Sequence, residues 1–225
     1  NKHMKIQSGF YTNKTSFKKQ KQADNKPRIV NNPYSYDDYF SRMEYKKPVT
    51  LQRALYDIIN EKELNDGVVG EKATIQRFLQ DLKGDKKILD RKILALSGYG
   101  SAAAAFESAD GKIIKLTDGN HFPMNRPAGV FDVPVYKKGH NGKTYYYIEE
   151  KLYRHNLPSY LVDTVKDMIK QSGYKTVDLY EGDIHQIGIA KNGRVYLLDA
   201  ECAQYKTVFH ALFDKAKRAL LKTRV

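Results

Sequence analysis

Two dipeptides, Asp110-Gly111 and Asn192-Gly193, each fall between short runs rich in apolar residues. Such pairs accept the positive φ of a two-residue hairpin turn, so each pins a β-hairpin to a known place in the chain. Residues 103–107 and 112–116 flank the first turn, and residues 187–190 and 195–198 flank the second. Residues 93–96 are a further strand-length apolar run. Residues 131–137 and 143–152 read as another hairpin, closed by Gly139-His140-Asn141-Gly142. The spacing predicts an antiparallel meander of about five strands. Residues 117–130 carry two prolines among turn formers and predict a loop.

Helical periodicity lies on both sides of this block. Thr50 is a fair N-cap behind Pro48, and Leu51, Leu55, Ile58 and Ile59 share one face. After Gly70, the residues Ile75, Phe78, Leu79 and Leu82 make a second stripe, which Gly84-Asp85 ends. Residues 159–171 follow Pro158 with Leu161, Val162, Val165, Met168 and Ile169 inward, and Gly173 is a C′ stop. A last helix over 207–222 has Val208, Leu212, Phe213, Ala216 and Leu220 as its apolar side and a basic outer face. Residues 5–35 are polar and aperiodic. They read as disordered or draped over a partner, pinned by the aromatic cluster Tyr34, Tyr36, Tyr39 and Phe40. The expected division is a basic arm over 1–47, a helical extension over 48–87 and a main domain over 88–225.

Composition sets outer limits. With 41% hydrophobic residues in 225, a real core is affordable. No apolar run approaches the length of a membrane-spanning helix, and no classical secretory signal is legible. The single cysteine, Cys202, rules out an internal disulfide and cysteine-built zinc sites, and points to a reducing compartment. Net charge is +13, and residues 1–49 hold 11 Lys/Arg against 4 Asp/Glu. Such an excess either keeps a leader solvated or draws the chain to nucleic acid, acidic proteins or anionic membranes.

Three features could do chemistry. Gly98-Tyr99-Gly100-Ser101 lies between two strands, so its amides can form a flap over phosphates rather than a helix-terminal phosphate cradle; an ordinary hairpin tip has the same pattern. Lys115 ends the strand after the next turn, on the same face as Ile113, and such a lysine is costly to bury unless it meets an anion. Fifteen residues separate it from Gly100, the length of one hairpin. The third feature is the pair of carboxylates flanking the Asn192-Gly193 hairpin, Asp183 before it and Asp199 after it. Phosphoryl transfer needs one carboxylate near the attacking hydroxyl and another on the metal.

The order strand, Gly-x-Gly, strand, Lys, hairpin, helix, Asp-x-His, hairpin, Asp resembles the protein-kinase-like superfamily over about residues 90–205. The closest likeness is to the small, divergent kinases of bacterial effectors, toxins and phages. The resemblance implies an α+β fold: a small antiparallel sheet as N-lobe and a heavily reduced helical C-lobe, since 26 residues follow Asp199. It also implies ATP with Mg²⁺ or Mn²⁺ as cofactors. Gly98, Gly100 and Ser101 resemble the nucleotide flap, with Ala103 where the family has its third glycine. Lys115 resembles the phosphate-binding lysine, and Glu149-Glu150-Lys151-Leu152 the adenine hinge. Asp183 resembles the catalytic aspartate and Asp199 the metal-binding one; the second metal position, an asparagine in the family, falls on Gln186 counting back from Asp199 or on Gly188 counting forward from Asp183. Asp178 defines a rival register, in which it is catalytic and Asp183 takes the metal role. The family's helix glutamate for the lysine has no counterpart after Lys115, which leaves Glu63 or Glu71, or an unpaired lysine. His185 reads as a loop anchor and Cys202 as a buried structural thiol.

Three function classes follow: a kinase acting on a partner protein, host-derived or not; a nucleotide-binding module without catalysis; and a basic nucleic-acid-binding or phage accessory protein. The expected location is the cytoplasm, with delivery into a host cell without a classical signal as the alternative.

Overall fold

The computed structural model describes residues 25–31, 41–61, 71–99, 102–119, 131–154, 157–180, 184–199 and 202–222. The fold is α+β and is built on a seven-stranded antiparallel sheet ordered β1-β2-β3-β4-β5-β7-β6. Its strands are β1 (Arg28–Asn31), β2 (Ser41–Thr50), β3 (Lys92–Tyr99), β4 (Ala103–Ser108), β5 (Lys112–Asp118), β6 (Val135–Asn141) and β7 (Thr144–Glu150). The Asp110-Gly111 turn forms as expected, with Gly111 at φ +75.

Period-two alternation divides the sheet into two faces. Ala104, Phe106, Ile114, Leu116, Tyr146 and Ile148 point to one side. There they share a core with helices α1 (Leu51–Asn60) and α2 (Glu71–Asp81), through Leu51, Leu55, Ile58, Ile75 and Phe78. Phe106, Ile114, Leu116, Ile75 and Phe78 are 0% exposed. Burial of each such side chain favours folding by about 1.5–3 kcal/mol. Thr50 caps α1 by accepting from the Arg53 amide at 3.2 Å. At the other end of this layer, Asp81 Oδ2 accepts from the Lys143 and Thr144 amides, both at 3.1 Å, and from the Thr144 hydroxyl at 2.8 Å. That carboxylate ties α2 to the start of β7. The short α3 (Lys86–Leu89) follows, capped by Asp85, whose side chain accepts from the Ile88 amide.

Three sequence expectations change here. β1 falls inside the stretch read as disordered. β2 joins the sheet across the boundary placed between the arm and the helical extension. Met43, Tyr45 and Val49 of β2 turn inward, while Lys46, Lys47 and Pro48 interrupt the alternation, so no strand period shows. The β6 strand starts four residues later than expected and runs through Gly139-His140, with the turn moved to Gly142-Lys143 and Gly142 at φ +58.

The second half of the chain builds a smaller core from α4 (Tyr160–Gln171), β8 (Tyr174–Thr176), β9 (Ile187–Ile189), β10 (Val195–Leu197), β11 (Ala203–Tyr205) and α5 (Val208–Lys222). β9 pairs with β10 across Asn192-Gly193, and β8 pairs with β11. Val162, Val165 and Ile169 of α4 are buried, whereas Met168, expected inward, is 48% exposed. The expected apolar side of the last helix is also turned out: Val208, Leu212 and Phe213 face water. The helix docks through His210, Ala211 and Asp214 instead. His210 packs on Tyr174 and Tyr205, and the Tyr205 hydroxyl donates to Asp214 at 2.8 Å.

Candidate functional site

The other face of the sheet is open. Gly98, Ala105, Ile113, Lys115 and Glu149 line a cleft of about 380 Å³, closed on its far side by His185, Gln186, Leu198 and Asp199. The two halves meet through backbone as well. The Leu197 amide donates to the Phe131 carbonyl at 2.8 Å, and Tyr153 and Ile189 exchange amide–carbonyl bonds at 2.7 and 2.9 Å. These bonds hold the β9–β10 hairpin against the sheet.

Lys115 crosses the cleft. Its Nζ donates to the Leu198 carbonyl at 3.0 Å, a contact between residues 83 apart in sequence. That sets the ammonium beside Asp199. The β9–β10 hairpin brings Gln186 and Asp199 to the same wall, where the Leu198 amide donates to the Gln186 carbonyl at 2.8 Å.

The sheet also supplies Lys115 with an acidic neighbour. Lys115 stands opposite Tyr147 in the β5–β7 ladder, and Glu149 stands opposite Ile113. Lysine and glutamate are therefore diagonal neighbours on one face, within reach of long side chains. Desolvation in the cleft holds the Glu149 carboxyl above the ordinary glutamate range; the attraction of Lys115 opposes this and the charge of Asp132 adds to it. Asp132 is itself buried and makes an isolated bridge to Leu197. The N-terminal helix that offered Glu71 as one alternative partner for Lys115 lies on the other side of the sheet. α2 packs on the closed face, against Ile114 and Leu116, so Glu71 begins a helix on the other side of the sheet, and Glu63 lies outside the described residues.

Of the other site residues expected from sequence, Gly98, Glu149, Glu150, Gln186 and Asp199 line the cleft with Lys115. Gly100, Ser101 and Asp183 lie outside the described residues. Asp178 lies outside the lining. It is exposed at φ +51, and its carbonyl accepts from the buried Cys202 thiol at 3.7 Å. Glu150 is committed elsewhere, because its amide donates to the Pro134 carbonyl at 3.0 Å and its carboxylate accepts from the Lys191 amide at 3.3 Å.

Lys151, named in the hinge, also lines the cleft, as do Glu107 and Arg154, which carry no sequence signal. Lys151 pairs with Glu107 across from β4, and Arg154 Nη2 donates to the His185 carbonyl at 3.0 Å. Charged residues at strand ends look like solvated surface until the tertiary fold folds them inward. Among the described residues, no group of three or more His, Cys, Asp and Glu is placed to hold a metal ion. Nor, among them, is any helix long and apolar enough to cross a membrane. No protein-family model matches the chain, and no curated protein matches it.

Proposed function

We propose that this cleft binds ATP with Mg²⁺ or Mn²⁺ and transfers the γ-phosphoryl group to a hydroxyl of a partner protein, in a reduced protein-kinase-like arrangement. One observation carries the reading. Gly98, Lys115 and Asp199, the residues chosen from sequence for flap, phosphate and metal, line one cleft, with the Lys115 ammonium 3.0 Å from the carbonyl next to Asp199. An ordinary hairpin tip and a snorkelling lysine would have no reason to converge on a distant aspartate.

The roles follow from charge and placement. Lys115 would bind phosphate oxygens in place of the Leu198 carbonyl. Glu149, carried by a strand, would orient the ammonium in place of a helix glutamate. The donors present fit a hard cation: Asp199 offers a carboxylate and Gln186 a carboxamide oxygen, and Mg²⁺ commonly takes one or two carboxylates with waters and phosphates completing the shell. When bound, the cation neutralises charge on the β- and γ-phosphates. The acceptor oxygen bonds to the γ-phosphorus as the bridging β–γ P–O bond breaks, ADP leaves, and the hydroxyl proton passes to a carboxylate, with Asp183 the candidate. Because the Glu150 amide is already bonded, a base read by backbone would use Lys151 and Leu152.

The test separates binding from transfer. ATP with Mg²⁺ should raise the melting temperature of the wild-type chain, and radiolabelled ATP should label the chain or an added protein substrate. Lys115→Ala should lose the shift, and Asp199→Ala should lose its dependence on the metal. A shift without labelling would reduce the protein to a nucleotide-binding module. No shift in the wild type, with salt-dependent binding to DNA or RNA, would favour the nucleic-acid class.

A further inference from the structure

Helix α5 has two opposed faces. One docks on the smaller core through His210, Ala211 and Asp214, and the Thr207 hydroxyl caps its start by accepting from the His210 amide at 3.1 Å. The other presents Val208, Phe209, Leu212 and Phe213, exposed by 74%, 83%, 57% and 74%. Positions spaced by one, four and five residues share one side of an α-helix, so these four form a single ridge. Scattered apolar side chains on a surface need no explanation, but a contiguous ridge with two phenylalanines marks an interaction site.

Charge indicates what covers it. Lys206 and Lys215 are exposed at the two ends of the ridge. Lys175 is also exposed, on β8, paired with Gln204 just before the helix. An apolar ridge in a basic rim matches a surface that is anionic outside and apolar beneath. A second copy of a chain of net charge +13 would bring like charge to the same place. A nucleic-acid duplex, whose bases are already stacked, would meet the rim but leave the phenylalanines in water.

We propose that α5 is a membrane-docking helix that lies in the headgroup region of an anionic lipid surface, with the ridge buried and the lysines at the phosphates. The docked face fixes the helix to the smaller core, so binding holds the folded chain at the membrane. This inference is independent of the chemistry in the cleft.

Co-sedimentation of the full chain with vesicles tests it. The wild type should pellet with phosphatidylcholine–phosphatidylserine vesicles and not with phosphatidylcholine alone, and added salt should weaken the binding. The double variant Phe209→Ser/Phe213→Ser should bind about tenfold more weakly or worse, and Lys206→Glu/Lys215→Glu should also lose binding. Both pairs are exposed, so thermal melts should match the wild type and exclude misfolding as the cause. The proposal is overturned if phosphatidylserine does not increase binding, or if the phenylalanine variant binds as well as wild type. It is also overturned if the wild type elutes as a dimer that this variant dissolves, since a second copy would then be the occupant.

Discussion

β4, β5 and β7 turn alternate residues to two different environments. On one side Phe106, Ile114 and Ile148 meet α1 and α2 in a dry layer. On the other, Ala105, Lys115 and Glu149 line an open cleft. The same backbone ladders support both, so the difference is one of side chains alone. The closed face stabilises the sheet. That stability lets the open face hold a lysine and a glutamate whose partial burial is unfavourable in itself.

Substitutions on each face can break this contrast. The largest effect should come from Phe106→Ala, which opens a cavity in the closed face and should cost about 3–5 kcal/mol in urea denaturation. Lys115→Ala, on the neighbouring strand but the open face, should cost less than about 1.5 kcal/mol, because it removes one hydrogen bond from a partly exposed chain. Equal losses would mean that the cleft side is a second core and not a binding face. Second to Phe106→Ala in size is Asp81→Ala. It removes the acceptor of three bonds to the start of β7 and strands the buried Thr144 hydroxyl, so about 1–3 kcal/mol should be lost. Hydrogen exchange should then rise first at the amides of Lys143 and Thr144. Exchange unchanged there would show that α2 is held by apolar contact alone.

The smallest effect is the sharpest test of the open face. The folded chain holds the Glu149 proton more tightly than the unfolded chain does, since burial outweighs the attraction of Lys115. Below the ordinary glutamate range the carboxyl is protonated in both states and adds no pH dependence. As pH rises through that range and past the raised value, ionising Glu149 penalises the folded state. Glu149→Gln should therefore match wild-type stability in acid and exceed it modestly at neutral pH, by paired melts across the pH range. A variant less stable at neutral pH would mean that the Lys115 attraction dominates and that the pair is a net structural bond. In the proposed function, the same substitution should weaken transfer more than nucleotide binding.

How far the sequence revealed the site depends on distance along the chain. The alternation Ile113-Ile114-Lys115 told which face the lysine takes, because side-chain direction in a strand is set by period two. The β9–β10 hairpin is legible from Asn192-Gly193; of the two carboxylates expected at its ends, Asp199 lines the cleft with Gln186, and Asp183 lies outside the described residues. Glu149 was read as a backbone contact in a hinge. Its side chain also shares a face with Lys115, because β7 pairs with β5 as well as with β6, a long-range choice no local pattern carries. The apolar residues of α5 are plain in the sequence, yet Val208, Leu212 and Phe213 face water rather than the core. A helix with two moderately apolar sides can dock by either, and Tyr174 and Tyr205 favour the side bearing His210 and Asp214.

The sequence by itself determined the local geometry: the two glycine turns, the Thr50 cap, the stop at Gly173 and the facing of alternate residues. These depend on φ restrictions and on bonds within a few residues. Tertiary structure decided which face of the sheet the helices close, which strand stands beside Lys115, and which side of α5 meets water. Each of those is a competition between distant surfaces for burial, and its outcome depends on the sum of many contacts that no single segment contains.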